Sequence, residues 1–420
     1  MTHQPDLSIV IPTLDERENI AVLLPALTRV CASLGVEGEV LVLDAGSADG
    51  TAEAAERAGA RVLQVGRGYG EALRQGLRAA RGDYVVTMDA DLSHDPEVVA
   101  RLWSIRDPMT IGIASRYVPG GAARTSRTRI VLSRLLNVVF ARGLALPARD
   151  LSSGFRIYPR RTAQILEPRS VDFDILPELL VRAHTSGWRI IEIPFNYAPR
   201  RSGRSKARLL RLGAEYVRTF ASLWRLRNSI AAADYDERAF DSIIPLQRYW
   251  QRRRHALVTR ACRKGPVLDV GCGSSRILRD LPTASGVDIS FPKLRYMSRY
   301  GLPLVQASIF ALPFADGAFE TVVCSEVIEH VAERDAPLRE LARVNKRGGT
   351  LVLGTPDYAR FSWRAFEAAY RFLAPGGYAD EHITQYTHDE LRTRVTKLGY
   401  RHVRTDYVAG SEMILVFTRT

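Results

Sequence analysis

At 420 residues the chain exceeds one ordinary core and fits two or three domains. With 46% hydrophobic and 25% charged residues, no low-complexity tract and no repeat period, both halves are expected to fold, which excludes a fibrous, repeat or disordered protein. The formal net charge of +13 divides into roughly +8 before residue 231 and roughly +5 after it, so the first half is the more basic.

In chain order, Met1 to Asp6 is polar and Leu7 to Ile11 is too short for a signal core, so a cytoplasmic protein is expected. Leu7 to Pro12 reads as a buried parallel strand, and a helical pattern follows from Glu18 to Ser33. Glu39 to Asp44, Arg61 to Val65 and Tyr84 to Asp89 read as three further strands, each separated from the next by a helix-forming segment. Such alternation predicts a parallel sheet with helices on both faces and ligands at the carboxyl ends of its strands. Every acidic candidate falls at such an end: Asp15 and Glu16, then Asp44, then Asp89 and Asp91. The last two lie two apart, so an extended strand end would turn both towards one cleft, where they could share Mg2+ or Mn2+ with a diphosphate.

Arg116 to Arg161 and Arg200 to Arg227 hold most of the basic excess, with Asp150 and Glu215 as their only acids. Within them, Arg129 to Leu146 and Leu209 to Leu226 mix arginine with apolar residues at helical spacing. Arginine makes them poor membrane spans, so each either buries its apolar face as core or lies on a bilayer surface. A nucleic-acid role is not expected, because stacking aromatics are not interleaved with the basic residues. Cys31, Cys262, Cys272 and Cys324 form no CxxC pair, so neither a disulfide framework nor a zinc site is indicated.

Eight blocks occur in one order: Ile11-Pro-Thr-Leu-Asp-Glu-Arg-Glu-Asn-Ile20, Asp44-Ala-Gly-Ser-Ala-Asp-Gly-Thr51, Gly66-Arg-Gly-Tyr-Gly70, Asp89-Ala-Asp-Leu-Ser-His94, Ser115-Arg-Tyr117, Ser153-Gly-Phe-Arg156, Glu192-Ile-Pro194 and Ser205-Lys206. From about residue 7 to 206 this resembles the inverting glycosyltransferases of the GT-A fold, and among them the polyprenyl-phosphate (dolichyl-phosphate) mannose synthases. The resemblance implies that Pro12, Glu16 and Asp44 hold a nucleotide-sugar donor of the GDP-mannose kind, and that Asp89 and Asp91 bind metal and diphosphate. It also implies that Arg116 and Lys206 meet phosphate charge, that the acceptor is a polyprenyl phosphate at a membrane surface, and that the two amphipathic segments favour the bilayer. Localisation would then be peripheral on the inner face of the cell membrane. Leu14 stands where an aromatic is frequent, Asp15 where asparagine is usual and Ala45 where a second aspartate is common, positions that bear on donor identity.

Between Asn228 and Lys264 a helical pattern marks the entry to another unit, with the junction expected near 228 to 240. Val267 to Val270 is a strand, and Gly271-Cys-Gly-Ser-Ser275 a turn whose glycines let backbone approach a ligand. The next strand ends at Asp288, placed to accept ribose hydroxyls. Arg276 occupies the third-glycine position of a dinucleotide fingerprint, which argues against NAD. Together with Leu312 to Val331 and Arg347 to Leu353, these residues resemble the class I S-adenosylmethionine-dependent methyltransferases from about 240 to 420. The resemblance implies a Rossmann-like fold in which Asp269, Gly271 and Gly273 line the methionine moiety, Asp288 binds ribose, and Ser308 with Ile309 borders adenine. His382 is the candidate base towards an unknown methyl acceptor, and His330 reads as structural.

The expectation is therefore an α/β fusion enzyme, with residues 1–230 a glycosyltransferase and residues 231–420 a methyltransferase. The catalytic candidates are Asp91, Arg116, Lys206 and His382. Two alternatives stay open: both halves tailor a soluble natural product or cell-surface glycan, or one half is a non-catalytic binding module.

Overall fold

The computed structural model describes residues 4–199, 209–262, 265–281, 283–373 and 382–420, with side chains throughout except at 209–215 and 368–373. The chain divides into two compact units, Met1–Arg227 and Asn228–Thr420.

The strands of the first unit are β1 (Leu7–Thr13), β2 (Gly38–Asp44), β3 (Arg61–Gln64), β4 (Tyr84–Thr87), β5 (Thr110–Ser115), β6 (Ala122–Ala123), β7 (Arg156–Pro159), β8 (Arg189–Pro194) and β9 (Asn196–Tyr197). Seven form one sheet in the order β3-β2-β1-β4-β7-β5-β8, and β6 pairs with β9. The β1–β2, β1–β4, β2–β3 and β5–β8 pairings are parallel, as the alternation predicts. The sheet is not parallel throughout, however, because β7 runs antiparallel to both β4 and β5. Residues alternate between two buried layers, since Leu7, Ile9 and Ile11 pack on one face and Val10, Leu41 and Leu43 on the other. Helices Arg17–Leu34 and Tyr69–Ala79 supply opposite sides of this sandwich, through Leu23 and Leu27 in one layer and Leu73 and Leu77 in the other.

The helix Arg127–Gly143 buries only Asn137 and Phe140, and leaves Val131, Leu132, Leu135, Val138 and Val139 exposed among arginines 127, 129, 134 and 142. Its apolar stripe is thus surface rather than core. Phe140 meets Tyr216 and Phe220 of the helix Leu209–Arg227, which itself exposes Val217 and Trp224. Among the described residues no helix is long and apolar enough to cross a membrane.

The second unit holds β10 (Val267–Val270), β11 (Ala284–Asp288), β12 (Leu304–Gln306), β13 (Phe319–Ser325), β14 (Asn345–Pro356), β15 (Tyr400–Val408) and β16 (Glu412–Arg419). They form one sheet in the order β12-β11-β10-β13-β14-β16-β15, parallel up to β14 and closed by antiparallel β16 and β15. Both sheets therefore reverse their winding beside the first strand of their unit, between β1 and β4 and between β10 and β13. A crevice at the strand ends is built into such a reversal. The four cysteines are free thiols, and all but Cys262 are buried.

Candidate active sites

In the first unit the β1 register sets Thr13 opposite Asp44 of β2, and Val10 opposite Thr87 of β4, so the loops after all three strands leave from one edge. Pro12 is the penultimate residue of β1. Asp15 follows in the left-handed region at φ 54°, where its carboxylate accepts from the Ala48 N–H at 3.0 Å and its own N–H donates to Ser47 Oγ at 2.9 Å. Glu16 receives the Asn19 amide at 2.6 Å and donates its N–H to Thr51 at 2.9 Å. Asp44 is buried and accepts from both the N–H and the hydroxyl of Ser47. The β1 and β2 loops are thus laced together by carboxylates, which fixes their backbone for a ligand.

Strand β4 ends at Thr87, two residues earlier than the sequence suggested, so Asp89 and Asp91 sit on a loop rather than on an extended strand end. The reason is His94, whose Nδ1 accepts the Asp89 N–H at 3.0 Å and closes the backbone into a turn in which Leu92 has φ 58°. His94 is fully buried, stacked on Phe155 at 4.8 Å. Burial lowers its pKa against the opposing pull of Asp89 and Asp91, which keeps the ring neutral as its acceptor role requires. The Asp91 carboxylate folds back onto the N–H and hydroxyl of Ser93. Asp89 remains partly exposed, with Tyr69 Oη 3.5 Å from one oxygen and His94 Nε2 3.7 Å from the other. Burial, reinforced by the Asp89 charge, raises the Tyr69 hydroxyl well above its ordinary pKa, so it stays a donor. Hard carboxylate oxygens at a partly open loop suit Mg2+ or Mn2+.

Arg116 does not stand as an isolated cation. Its Nε and Nη2 grip the two oxygens of fully buried Asp150 at 2.8 and 2.7 Å, and Nη2 also donates to Ser152 at 2.7 Å. Lys206 lies outside the described residues. Tyr69, His94 and Asp150 join this site beyond the expected residues; Tyr69 lies in Gly66 to Gly70 and His94 closes Asp89 to His94, whereas Asp150 carries no motif.

In the second unit a cavity of about 840 Å3 opens at the β10/β13 reversal and is lined by Asp269, Gly271, Gly273, Asp288, Ser308 and Ile309. Gly271 and Gly273 have φ of +72° and +53°. A side chain at 271 would strike Val327 Cγ2 at 2.2 Å, because the turn after β10 meets the turn after β13 there. Asp288 accepts from the N–H groups of Gly273 and Ser290, both at 2.7 Å, so it shapes the glycine turn while facing the cavity. Asp269 is buried, and its Oδ2 has no hydrogen-bond partner among the described residues. Burial, with the charges of Asp288 and Asp236 adding, pushes its pKa up to about 7. An orphaned carboxylate, one turn with two glycines and a second carboxylate beside it suit a cationic nucleoside ligand such as S-adenosylmethionine.

Asp236 and Lys293, which the sequence reading did not single out, also line this cavity and pair at 3.1 Å. Asp236 accepts the Ser274 N–H as well, at 3.1 Å. Burial opposes the charge of Lys293, but Asp236 and Asp288 outweigh it and hold the ammonium pKa above its usual value. His382 lines the cavity with His330; its Nδ1 is 2.8 Å from Tyr358 Oη and its ring is stacked near Trp363. Burial, with His330 adding, lowers its pKa to about 4, so the ring is neutral at physiological pH.

Residues 8–165 match the family model described as glycosyl transferase family 2. The polyprenol monophosphomannose synthase of Mycolicibacterium smegmatis is 33% identical over 218 residues, 47% of this chain and 79% of that protein. The chain belongs to the polyprenol-phosphate mannose synthase family. A dolichol-phosphate mannosyltransferase of Pyrococcus furiosus is likewise 33% identical over 212 residues, 48% of this chain; the match spans only 58% of that relative's length. In this synthase-family member residues 268–353 match a second model, a methyltransferase domain, so the chain is a fusion of the two.

Among solved structures, the chain is similar to glucosyl-3-phosphoglycerate synthase from Mycobacterium tuberculosis in complex with Mn2+, uridine diphosphate and glucosyl-3-phosphoglycerate. The identity is 22% and the TM-score 0.42, covering 52% of this chain and 80% of that one. A SAM-dependent methyltransferase from Thermotoga maritima is 20% identical with a TM-score of 0.38, covering 44% and 94%.

Proposed function

We propose that the protein is a bifunctional enzyme. Residues 1–230 transfer a mannose-like hexosyl group from a nucleoside diphosphate sugar to a polyprenyl phosphate with inversion, and residues 231–420 methylate a small molecule or glycan with S-adenosyl-L-methionine. The observation behind this reading is that carboxylates gather at the winding reversal of each sheet, beside β1 and β4 in the first unit and beside β10 in the second, where a glycine turn joins them.

In the first unit Pro12, Glu16 and Asp44 hold the donor nucleotide, and Asp89 with Asp91 holds Mg2+ or Mn2+. When bound, that ion supplies positive charge against the charge growing on the leaving diphosphate. Tyr69 Oη, kept protonated, donates to the Asp89 carboxylate, and neutral His94 holds the Asp89 backbone N–H. A phosphate acceptor is already anionic, so the chain has to orient it rather than deprotonate it. Arg116, its guanidinium oriented by Asp150, supplies positive charge for that task, and Lys206 shares it. The exposed apolar stripe Val131 to Val139, set among arginines, seats the enzyme on the anionic face of a membrane where the lipid acceptor resides.

In the second unit Gly271 and Gly273 admit the methionine part of the methyl donor, Asp269 faces its positive charge, Asp288 takes ribose, and Ser308 with Ile309 borders adenine. The methyl donor brings an activated methyl group, and the chain supplies alignment with the acceptor.

The full chain, given GDP-mannose, polyprenyl phosphate and MnCl2, should form lipid-linked mannose. Asp91→Ala should abolish that product while S-adenosylmethionine binding, read by calorimetry, stays unchanged. Sugar transfer surviving in the variant would remove the assignment of the first site.

A further inference from the structure

Glu329, His330 and His382 bring a carboxylate oxygen and two ring nitrogens within 4.8 Å of one another. They come from two places. Glu329 and His330 lie in the turn after β13, and His382 precedes the helix His388–Lys397. The backbone ties them, since the Glu329 carbonyl accepts the N–H groups of Ile383 and Thr384, both at 2.9 Å. This pairing holds the His382 segment against the β13 turn without using either side chain.

The side chains themselves carry unmatched polar atoms. Glu329 is completely buried; its Oε2 accepts from Thr355 at 3.1 Å, but Oε1 has no hydrogen-bond partner among the described residues. His382 Nε2 is likewise sealed from solvent, with no hydrogen-bond partner among the described residues. A buried carboxylate oxygen and a buried ring nitrogen left unmatched are costly unless something joins them. On the far side of the ring, His382 Nδ1 lies 2.8 Å from Tyr358 Oη, which in turn lies 3.4 Å from Glu367 Oε1. A chain in which Nδ1–H donates to the tyrosine oxygen and the tyrosine donates to Glu367 leaves the Nε2 lone pair aimed at the cluster. That outer pairing is what a metal-binding histidine requires. Two imidazoles and one carboxylate form a donor set suited to a first-row divalent ion, zinc above all, with further positions open.

We propose that Glu329, His330 and His382 bind a divalent transition-metal ion of the zinc type, and that this ion holds the hydroxyl oxygen of the methyl acceptor. His330 and His382 line the same cavity as Gly271 and Asp288, so an acceptor held there faces the bound methyl donor. Bonds to such an ion are about 2.0–2.2 Å long, so the three groups draw together by about an ångström on binding. The acceptor is then an alcohol, such as a sugar hydroxyl, whose O–H proton the ion acidifies and which passes to solvent water. The oxygen forms the new C–O bond as the methyl carbon leaves sulfur, and the C–S bonding pair stays on sulfur to give the neutral thioether. The role in catalysis rests on the methyltransferase reading above; metal binding itself does not.

The test is calorimetric titration of the full chain with ZnCl2, alongside His382→Ala, His330→Gln, Glu329→Gln and Asp91→Asn. Wild type and Asp91→Asn should share one zinc site that the other three variants weaken at least tenfold, and Co2+ in its place should give visible absorption bands that His382→Ala loses. S-adenosylmethionine binding, measured on the same samples, reports that the variants are folded. Zinc uptake undiminished in both histidine variants, or no uptake shared by wild type and Asp91→Asn, overturns the proposal. Zinc uptake as expected with no S-adenosylmethionine binding by wild type would keep the metal site and remove the methyltransferase reading instead.

Discussion

Arg116 and Asp150 form a two-point fork, reinforced by the Arg116 backbone N–H, which donates to the same carboxylate at 2.9 Å. Asp150 is completely buried and its own N–H donates to Glu192 at 2.9 Å, so the fork pins the loop before β7 to the end of β5. Removing one partner of a buried pair leaves the other charge unmatched, at a cost of about 3–5 kcal/mol. Arg116→Ala is therefore expected to lower the melting temperature by several degrees and to abolish sugar transfer. Arg116→Lys, which keeps the charge but not the fork, should recover less than half of the stability. Thermal melts of the three proteins check this.

Gly154 lies where a side chain would sit 2.6 Å from Tyr69 Oη and 3.5 Å from Asp89 Oδ1. Gly154→Ala should therefore displace the tyrosine from Asp89 and lower sugar transfer at least tenfold at fixed Mn2+. Tyr69→Phe removes the obstructing oxygen, so the Gly154→Ala/Tyr69→Phe double variant should be more active than Gly154→Ala alone. A double variant no better than the single one would show that the clash is not what matters. Initial rates across a Mn2+ series separate the two outcomes.

The sites were legible where chemistry is local in sequence, and less so where it depends on pairing across the sheet. β1, β2 and β10 are short apolar runs ended by proline, aspartate or glycine, and each forms within a residue of the expected bounds. β7 was not legible, because four residues that could join either neighbour are given their antiparallel place only by β4 and β5. The length of β4 was overread for a related reason: the apolar run continues to Met88, but His94 captures the next N–H. Asp150 looked like an exception within a basic tract, and its partner lies 34 residues away. Asp236 gave no signal at all, since it reaches the glycine turn from a six-residue helix 38 residues before Ser274.

The exposed stripe on the helix Arg127–Gly143 makes a prediction about membranes. Val131 and Leu135 are 63% and 59% exposed, one helical turn apart, with Arg134 and Arg142 nearby. Each such side chain transferred from water to lipid contributes about 1.5–3 kcal/mol, so losing two weakens partitioning by at least a hundredfold. Val131→Ser with Leu135→Ser should leave the melting temperature unchanged, as neither is core, and should release the protein from anionic liposomes in flotation. Flotation equal to wild type would remove the surface assigned to the membrane. Raising the salt concentration should weaken binding of the wild type, through the arginines.

Asp269 links the second unit to pH. Its pKa stands at about 7, above the ordinary 3.8, because burial, with the charges of Asp288 and Asp236 adding, disfavours its ionised form. For a group raised on folding, the contribution to stability is full below the unfolded pKa and is lost as pH rises through the folded one. The ligand-free protein should therefore lose stability between about pH 4 and pH 7 through this residue, and Asp269→Asn should flatten that stretch. A cationic methyl donor reverses the preference, since it favours the ionised carboxylate. Its affinity should fall as pH drops below 7, by up to about tenfold per pH unit, and be nearly pH-independent above 8. Calorimetric titration with S-adenosylmethionine from pH 5.5 to 8.5 measures the slope, and in Asp269→Asn the affinity should be weak and level throughout. A wild-type affinity unchanged across that range would mean that Asp269 does not face the charge of the methyl donor.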